Sequence, residues 1–360
     1  MNKTNNKKVV QGKSTGRRGG CLGCLGRGLI GLLAFLVVVM VAGAIYQSTA
    51  SASDLKKYPP PGIFYDVGEY RLHLYCTGEG SPTVILEAGA GSPGLLWTFV
   101  QKEIEKSTRV CSYDRAGLGW SDPASGPLSP KQIASDLHAV LETAGVQGPY
   151  ILVGHSAGGV YVRAFANQYP SDVVGMVLVD SSHEGQNAHY PPEWQELDKV
   201  QNSMMAFCRV VSPFGGMRLA RIFDAATATM DPEIGAAYLS TLYRTGFCRV
   251  SAWEIEALST SNSKSYIPGS LGDLPLIVLT ADTSEAELQA QVPAYLQSAV
   301  GPEVIAKVYQ VNREMQQDLV NLSSRGRQIM VPNSGHMIQL DQPGVVIDAI
   351  RDIVEQVRRK

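Results

Sequence analysis

From residue 63 onward, short apolar runs alternate with segments of helical periodicity, and this alternation restricts the fold more than any other feature. The run YILVG at 150–154 is apolar throughout, as expected of a strand buried on both faces. The segment 129–145 repeats its apolar residues at helical spacing, begins with Ser-Pro and ends with Gly. Such alternation predicts βαβ units, and therefore an α/β fold with a largely parallel sheet. The other predicted strands are 70–76, 83–89, 109–114, 174–180, 274–282 and 326–332.

The alternation stops between residues 183 and 271, where helical stretches occur without a clear strand. We interpret 183–271 as a helical cap inserted into a core formed by 63–182 and 272–360. The segment 47–62, which comes before the predicted core, is rich in Ser and Ala and ends near three consecutive prolines. That composition predicts an extended linker.

The N-terminal region combines a basic tail with an uncharged apolar run. Residues 1–27 carry seven Lys and Arg and no acid, and the eighteen residues 29–46 carry no charge. Eighteen helical residues span about 27 Å, close to the thickness of a bilayer core. We therefore predict a cytoplasmic tail at 1–27, a transmembrane anchor at 28–46 and an extracytoplasmic position for the rest. The alternative is a signal segment cleaved near Ala52, which would release a secreted protein.

Charge and cysteine usage exclude some partners. Subtracting the seven tail charges from the formal net charge of −2 leaves −9, which argues against a nucleic-acid partner. The sequence contains no His-Glu-x-x-His motif and no Cys/His cluster with ligand spacing, so it predicts neither a metal nor a cofactor.

Four of the six cysteines follow the anchor, where an oxidising compartment would allow three pairings. They are Cys76, Cys111, Cys208 and Cys248.

The strand at 150–154 runs into Gly-His-Ser-Ala-Gly, a pattern typical of a serine nucleophile on a sharp turn between strand and helix. Glycines stand two residues before and two after Ser156, where strand and helix must pass close together. The N-terminus of the following helix offers N–H groups to a developing oxyanion. We predict Ser156 as the nucleophile, and the alternative is an ordinary glycine-rich turn.

A serine nucleophile needs a base, and His336 is the best placed of the six histidines. It follows the last predicted strand, at the carboxyl ends where open α/β sheets bind ligands, whereas His155 is expected to point elsewhere. The base needs an acid, for which Asp180 is preferred over Asp282 and Glu285. All three keep the chain order Ser, acid, His.

An oxyanion hole needs two N–H donors. Ala157, the residue after the serine, is predicted to supply one donor. The second is expected from the loop Gly89-Ala90-Gly91, which follows a predicted strand and whose glycines allow close approach to a substrate.

Five motifs, in their order along the chain, resemble the α/β-hydrolase superfamily: LEAGAG, SYDRAGLGWSDP, LVGHSAGG, GMVLVDSSHE and GHMIQLDQP. The likeness is to its capped, lipase- or esterase-like and peroxidase-like branch, and it covers most of the chain beyond the anchor. It implies an eight-stranded, mostly parallel sheet with helices on both faces and a cap between strands six and seven. It also supports Ser156 and His336, and a serine at 156 argues against the dehalogenases and epoxide hydrolases that share the fold.

Two departures from the family pattern affect the site. Many members carry His-Gly in the oxyanion loop where this chain has Ala88-Gly89, and the second donor is assigned to Ala90. The loop after the seventh strand lacks the usual acid spacing, which favours Asp180.

The resemblance also bears on the pairing of the cysteines. The family's strand order places the second and fourth strands side by side, which implies that Cys76 pairs with Cys111. Cys208 and Cys248 both lie in the predicted cap, in the similar stretches AFCRV and GFCRV, and we predict that they pair as well; the alternative is four buried free thiols.

We therefore expect a membrane-anchored serine hydrolase that cleaves a small-molecule acyl substrate through an acyl-enzyme intermediate. A peptidase, lactonase or perhydrolase would use the same triad, because cap contacts select the leaving group. A non-catalytic binding protein on the same scaffold is a further alternative.

Overall fold

The computed structural model describes residues 20–228, 230–259, 269–292 and 300–359. Its centre is an eight-stranded sheet in the order β1-β2-β4-β3-β5-β6-β7-β8. Only the pairs that include β2 are antiparallel, so the predicted mostly parallel sheet is confirmed. The strands are β1 (Ile63–Asp66), β2 (Arg71–Thr77), β3 (Thr83–Glu87), β4 (Val110–Tyr113), β5 (Tyr150–His155), β6 (Val173–Val179), β7 (Leu276–Ala281) and β8 (Gly326–Val331).

Helices cover both faces of this sheet. They are α1 (Gly20–Lys57), α2 (Thr98–Ile104), α3 (Pro130–Thr143), α4 (Ala157–Gln168), α5 (Gln186–His189), α6 (Gln195–Val211), α7 (Gly216–Leu219), α8 (Pro232–Leu242), α9 (Phe247–Ser259), α10 (Glu285–Gln291), α11 (Pro302–Val320), α12 (Ile338–Asp341) and α13 (Pro343–Arg358). α3, α4 and α11 bury their apolar faces on one side of the sheet, and α2 and α13 on the other. The two cores hold the strand ends rigidly in place for the loops that follow them.

Between β6 and β7 the described residues form helices α5 to α9 and no strand, which agrees with a helical cap. A disulfide between Cys208 and Cys248 joins α6 to α9 inside the cap. A second disulfide joins Cys76 and Cys111, which lie directly opposite each other on β2 and β4. The structure thus contains both predicted cysteine pairs.

The N-terminal helix α1 differs from the expected anchor and linker, because it continues to Lys57 instead of giving way to an extended segment. Contacts with the cap explain the longer helix. The buried Gln47 amide donates to the carbonyl oxygen of Tyr243 at 2.7 Å, and Asp54 forms a 2.7 Å ion pair with Arg218. The three prolines that follow then end the helix. Among the described residues, α1 is the helix that is long and apolar enough to cross a membrane.

Candidate active site

Ser156 lies on the sharp turn between β5 and α4. Its φ of 53° and ψ of −124° belong to a sparsely populated region for an L-residue, so the turn is strained. Strand and helix almost touch beside it. A Cβ added to Gly154 would lie 2.6 Å from the carbonyl oxygen of Gly158, and one added to Gly158 would lie 2.5 Å from that of Glu87. Side chains at the two glycines would force strand and helix apart, which explains the glycines around the serine.

His336 and Asp180 form a direct pair. The His336 Nδ1 atom lies 2.7 Å from Oδ2 of Asp180, and the other carboxylate oxygen accepts the Ala281 N–H at 3.1 Å. These two bonds hold the carboxylate against the imidazole ring. Ser156, Asp180 and His336 all line one cavity of about 310 Å³. The structure therefore brings the predicted nucleophile, base and preferred acid together, although their elements are far apart in the chain.

The two alternative acids lie elsewhere. Asp282 follows β7 and its Oδ1 lies 3.5 Å from an Nη atom of Arg313 on α11. Glu285 is exposed and begins α10. Among the described residues, the carboxylate bonded to the His336 ring is that of Asp180.

The two predicted oxyanion donors also share a cavity with the serine. Ala90 and Ala157 line a space of about 680 Å³ that includes Ser156, beneath the cap helices. Ala157 is the first residue of α4, so its N–H belongs to the helix terminus that offers donors to an anion. This placement suits a developing oxyanion above the serine.

The loop that carries the second donor is fixed from both sides. The Arg115 guanidinium donates to the carbonyl oxygens of Ala88 and Gly89, at 2.8 and 2.7 Å. The N–H of Gly91 donates to Oε2 of Glu254 on the cap helix α9, at 2.7 Å. None of these bonds involves the N–H of Ala90, which lies between the bonded groups and is the assigned second donor.

Arg115, Glu87 and Glu254 form a buried charged network under this loop. The guanidinium pairs with Glu87 at 2.5 Å and with Glu254 at 2.6 Å, and the Tyr113 hydroxyl donates to Glu87. Burial raises the pKa of Glu87 to about 7, against the opposing effect of the Arg115 charge. Sequence reasoning did not find this network. The signal for Arg115 was its place in the DRAGLG motif, whereas Glu254 had none.

His155 has a role that the sequence analysis missed. Its buried Nε2 lies 2.8 Å from the carbonyl oxygen of His336, so a neutral ring carries its proton on Nε2 and donates it there. Burial, reinforced by the neighbouring His336, lowers the pKa of His155 to about 3, which keeps the ring neutral. His155 thus supports the backbone of the loop that carries His336. The signal was the histidine beside the serine in Gly-His-Ser.

Comparisons with known proteins agree with this architecture. The model of the alpha/beta hydrolase family matches residues 84–349. The protein named probable transporter efuK, of Hormonema carpetanum, is 30% identical over 313 residues, which is 82% of this chain but 43% of that relative. An AB hydrolase superfamily protein of Gibberella zeae is 26% identical over 296 residues, covering 78% of this chain and 89% of the relative.

The fold also matches solved structures. A thermophilic esterase from Thermogutta terrifontis superposes with a TM-score of 0.57 at 21% sequence identity, covering 82% of this chain and 98% of that one. The family match extends over well more than half of the chain and includes the serine turn, the cap and the histidine loop. The chain therefore belongs to the alpha/beta hydrolase family.

Proposed function

We propose that this alpha/beta hydrolase is a serine hydrolase that cleaves a carboxylic ester or a related acyl bond through an acyl-enzyme. One observation carries the proposal: the His336–Asp180 pair and Ser156, on its strained turn, line the same cavity. A nucleophile, a base and an orienting acid in one cavity are what acyl transfer by a serine requires.

The mechanism follows from these positions. The Ser156 hydroxyl oxygen attacks the substrate carbonyl carbon while His336 Nε2 takes its proton, and Asp180 holds the Nδ1–H and stabilises the imidazolium. The N–H groups of Ala157 and Ala90 receive the tetrahedral oxyanion. The intermediate collapses to the acyl-enzyme, and His336 gives its proton to the departing alcohol. Water, deprotonated by His336, then attacks the acyl carbonyl and releases the acid and the free serine.

A fluorophosphonate probe tests the nucleophile in the full-length protein. We expect the wild type to be labelled and Ser156→Ala to be unlabelled, with turnover of a short ester reduced by about 10⁴- to 10⁶-fold. Ser182→Ala is the matched control, since Ser182 lines the same cavity and should leave labelling intact. Labelling that persists in Ser156→Ala would overturn the proposal.

We also propose that α1 anchors the protein in a membrane, with residues 1–27 cytoplasmic and the hydrolase domain extracytoplasmic. The apolar part of α1 is exposed, whereas Gln47 is buried against the cap. Cleavage near Ala52 would remove Gln47 and its bond to the domain, so the contact favours a retained anchor. The two disulfides suit an oxidising compartment.

A further inference from the structure

The cap exposes a concentrated group of large apolar side chains. Outside α1, the described residues expose eight such side chains, and six of them lie between 204 and 222. Phe207, Val210 and Leu219 are 63%, 65% and 66% exposed. Apolar surface gathered in one stretch marks a contact with an apolar partner or phase. We call the six residues the apolar cap face: Met204, Phe207, Val210, Phe214, Leu219 and Ile222.

The apolar cap face adjoins the N-terminal helix. The turn Ser212–Phe214 packs across α1, and a Cβ added to Gly43 would lie 3.3 Å from Cβ of Phe214. One helical turn further on, Gln47 fixes the contact through its bond to the carbonyl of Tyr243. The cap is therefore attached to α1 at a defined height along the helix.

That height coincides with the end of the apolar run. Gly43 belongs to the uncharged stretch 29–46, and Gln47 is the first residue after it. Four residues of helix rise about 6 Å, so Phe214 meets α1 within about one turn of the level where a spanning helix leaves the hydrocarbon. Phe214 of the apolar cap face lies beside this level, where an amphipathic surface buries its apolar side chains about 5–10 Å into a bilayer.

The charge of the same stretch suits lipid headgroups. Residues 204–222 contain three arginines and no acidic residue, although the whole chain has a net charge of −2. Arg221 is 79% exposed at its side chain and pairs with Asp224, two residues beyond this stretch, and Arg218 pairs with Asp54 of α1. Basic side chains bordering exposed apolar residues are typical of surfaces that lie in a membrane interface.

Helix α6, which carries Met204, Phe207 and Val210 of the apolar cap face, also forms a wall of the candidate active site. Met205, Ala206 and Arg209 of α6 line the cavity around Ser156, whereas Phe207 and Val210 of the same helix face solvent. An acyl chain leaving a bilayer at the apolar cap face would reach this cavity by passing a single helix.

We propose that the apolar cap face inserts into the outer surface of the bilayer that α1 spans, and that the enzyme takes its acyl substrate from the lipid phase. The substrate class is then an ester with a chain long enough to reside in a membrane. This inference rests on the proposed serine hydrolase activity and on the proposed anchor. Its structural half, insertion of the face, is independent of the chemistry.

Insertion is tested by fluorescence quenching in the full-length protein, reconstituted into vesicles of phosphatidylcholine and phosphatidylglycerol at about 4:1. A bimane label is placed at Phe207→Cys or Leu219→Cys in a Cys21→Ser, Cys24→Ser background, with Ile63→Cys as control, since Ile63 is 61% exposed on β1. We expect spin-labelled lipids to quench the two cap labels at least about threefold more strongly than the control label. Equal quenching at all three sites overturns the proposal, as does a disulfide that forms between two copies when the unlabelled Phe207→Cys or Leu219→Cys protein is exposed to an added oxidant.

Substrate access is tested by comparing two esters in the same vesicles. The double variant Phe207→Gln, Leu219→Gln should hydrolyse a long-chain ester dissolved in the bilayer about tenfold more slowly, because its cap no longer inserts. It should hydrolyse a short water-soluble ester at the wild-type rate, as should Ile63→Gln with both esters. Equal loss on both esters, or no loss on either, overturns the lipid-phase route. If the wild type hydrolyses neither ester and resists the fluorophosphonate, the proposed function fails, while the quenching result still decides whether the face inserts.

Discussion

Of the three acids that the sequence offered as partners for His336, Asp180 is the one that bonds to the His336 ring in the described structure. Asp180→Asn removes the charge and lets the amide favour the wrong imidazole tautomer, so we expect kcat on a short ester to fall by about 10⁴-fold with little change in KM. Asp282→Asn is the matched control. Its exposed contact with Arg313 contributes little, and activity should stay within about twofold of wild type. A larger loss in Asp282→Asn than in Asp180→Asn would reverse the assignment.

The low pKa of the buried His155 ring predicts how the unfolding free energy changes with pH. Its pKa of about 3 in the folded protein lies below the ordinary value of 6.5, so the unfolded chain takes up the proton first as the pH falls. The stability that neutral His155 contributes is therefore complete above pH 6.5 and is lost on acidification towards pH 3. Relative to His155→Asn, the wild type should lose about 2 kcal/mol of unfolding free energy between pH 7 and 5.

Guanidinium unfolding of both full-length proteins in detergent, at several values of pH, measures this difference. Other titrating groups are common to the two proteins and cancel in the comparison. Parallel pH profiles would show that the ring is not held neutral in the folded state.

The site residues differ in how far the sequence could predict them. Ser156 and His336 were accessible because each lies in a local motif next to a predicted strand. For the acid, sequence reasoning preferred Asp180 but left Asp282 and Glu285 open, since Asp180 and Asp282 follow adjacent strands and only the loop geometry separates them. Glu254 was out of reach, because its bond to Gly91 joins residues 163 positions apart through the cap.

Among the elements, the long apolar strands and periodic helices were predicted from their own residues, and two other features depended on tertiary contacts. β1 has four residues and a partly exposed burial pattern, so it lacks the apolar run that marks a strand. α1 was expected to end near 46, and it is longer because the cap binds Gln47 and Asp54. The local sequence pattern predicts an element well where the element has its own buried apolar face. It predicts poorly where contacts with a neighbouring element determine the structure.

Glu254 of the cap helix α9 binds Gly91, in the loop that carries Ala90, the proposed second oxyanion donor. Glu254→Gln keeps the shape and one acceptor oxygen but removes the charge opposite Arg115, which loosens the loop that holds the Ala90 N–H. We expect kcat to fall about tenfold with a nearly unchanged KM, because the oxyanion is stabilised only in the transition state. Glu233→Gln, on the exposed start of α8, is the control. A rise in KM at constant kcat would assign Glu254 to substrate binding instead.

The chain as a whole combines an N-terminal helix that is long and apolar enough to cross a membrane with a domain that binds the polar end of this helix. The contacts of Gln47 and Asp54 with the cap are made by residues on either side of Ala52, the candidate cleavage position. An uncleaved helix keeps both contacts. A cleaved one would expose the buried cap surface that Gln47 covers and leave the carbonyl of Tyr243 without this donor.

A retained anchor with an outward domain predicts a specific labelling pattern in intact cells. A membrane-impermeant maleimide should react with an introduced Ile63→Cys before lysis, because that exposed position lies beyond the membrane. The native Cys21 and Cys24, on the basic side of the span, should react only after lysis. The disulfide-bonded cysteines should stay unlabelled throughout. Labelling of Ile63→Cys only after lysis would place the domain inside the cell, and its recovery in the medium at the mass of a shortened chain would show that the helix is a cleaved signal.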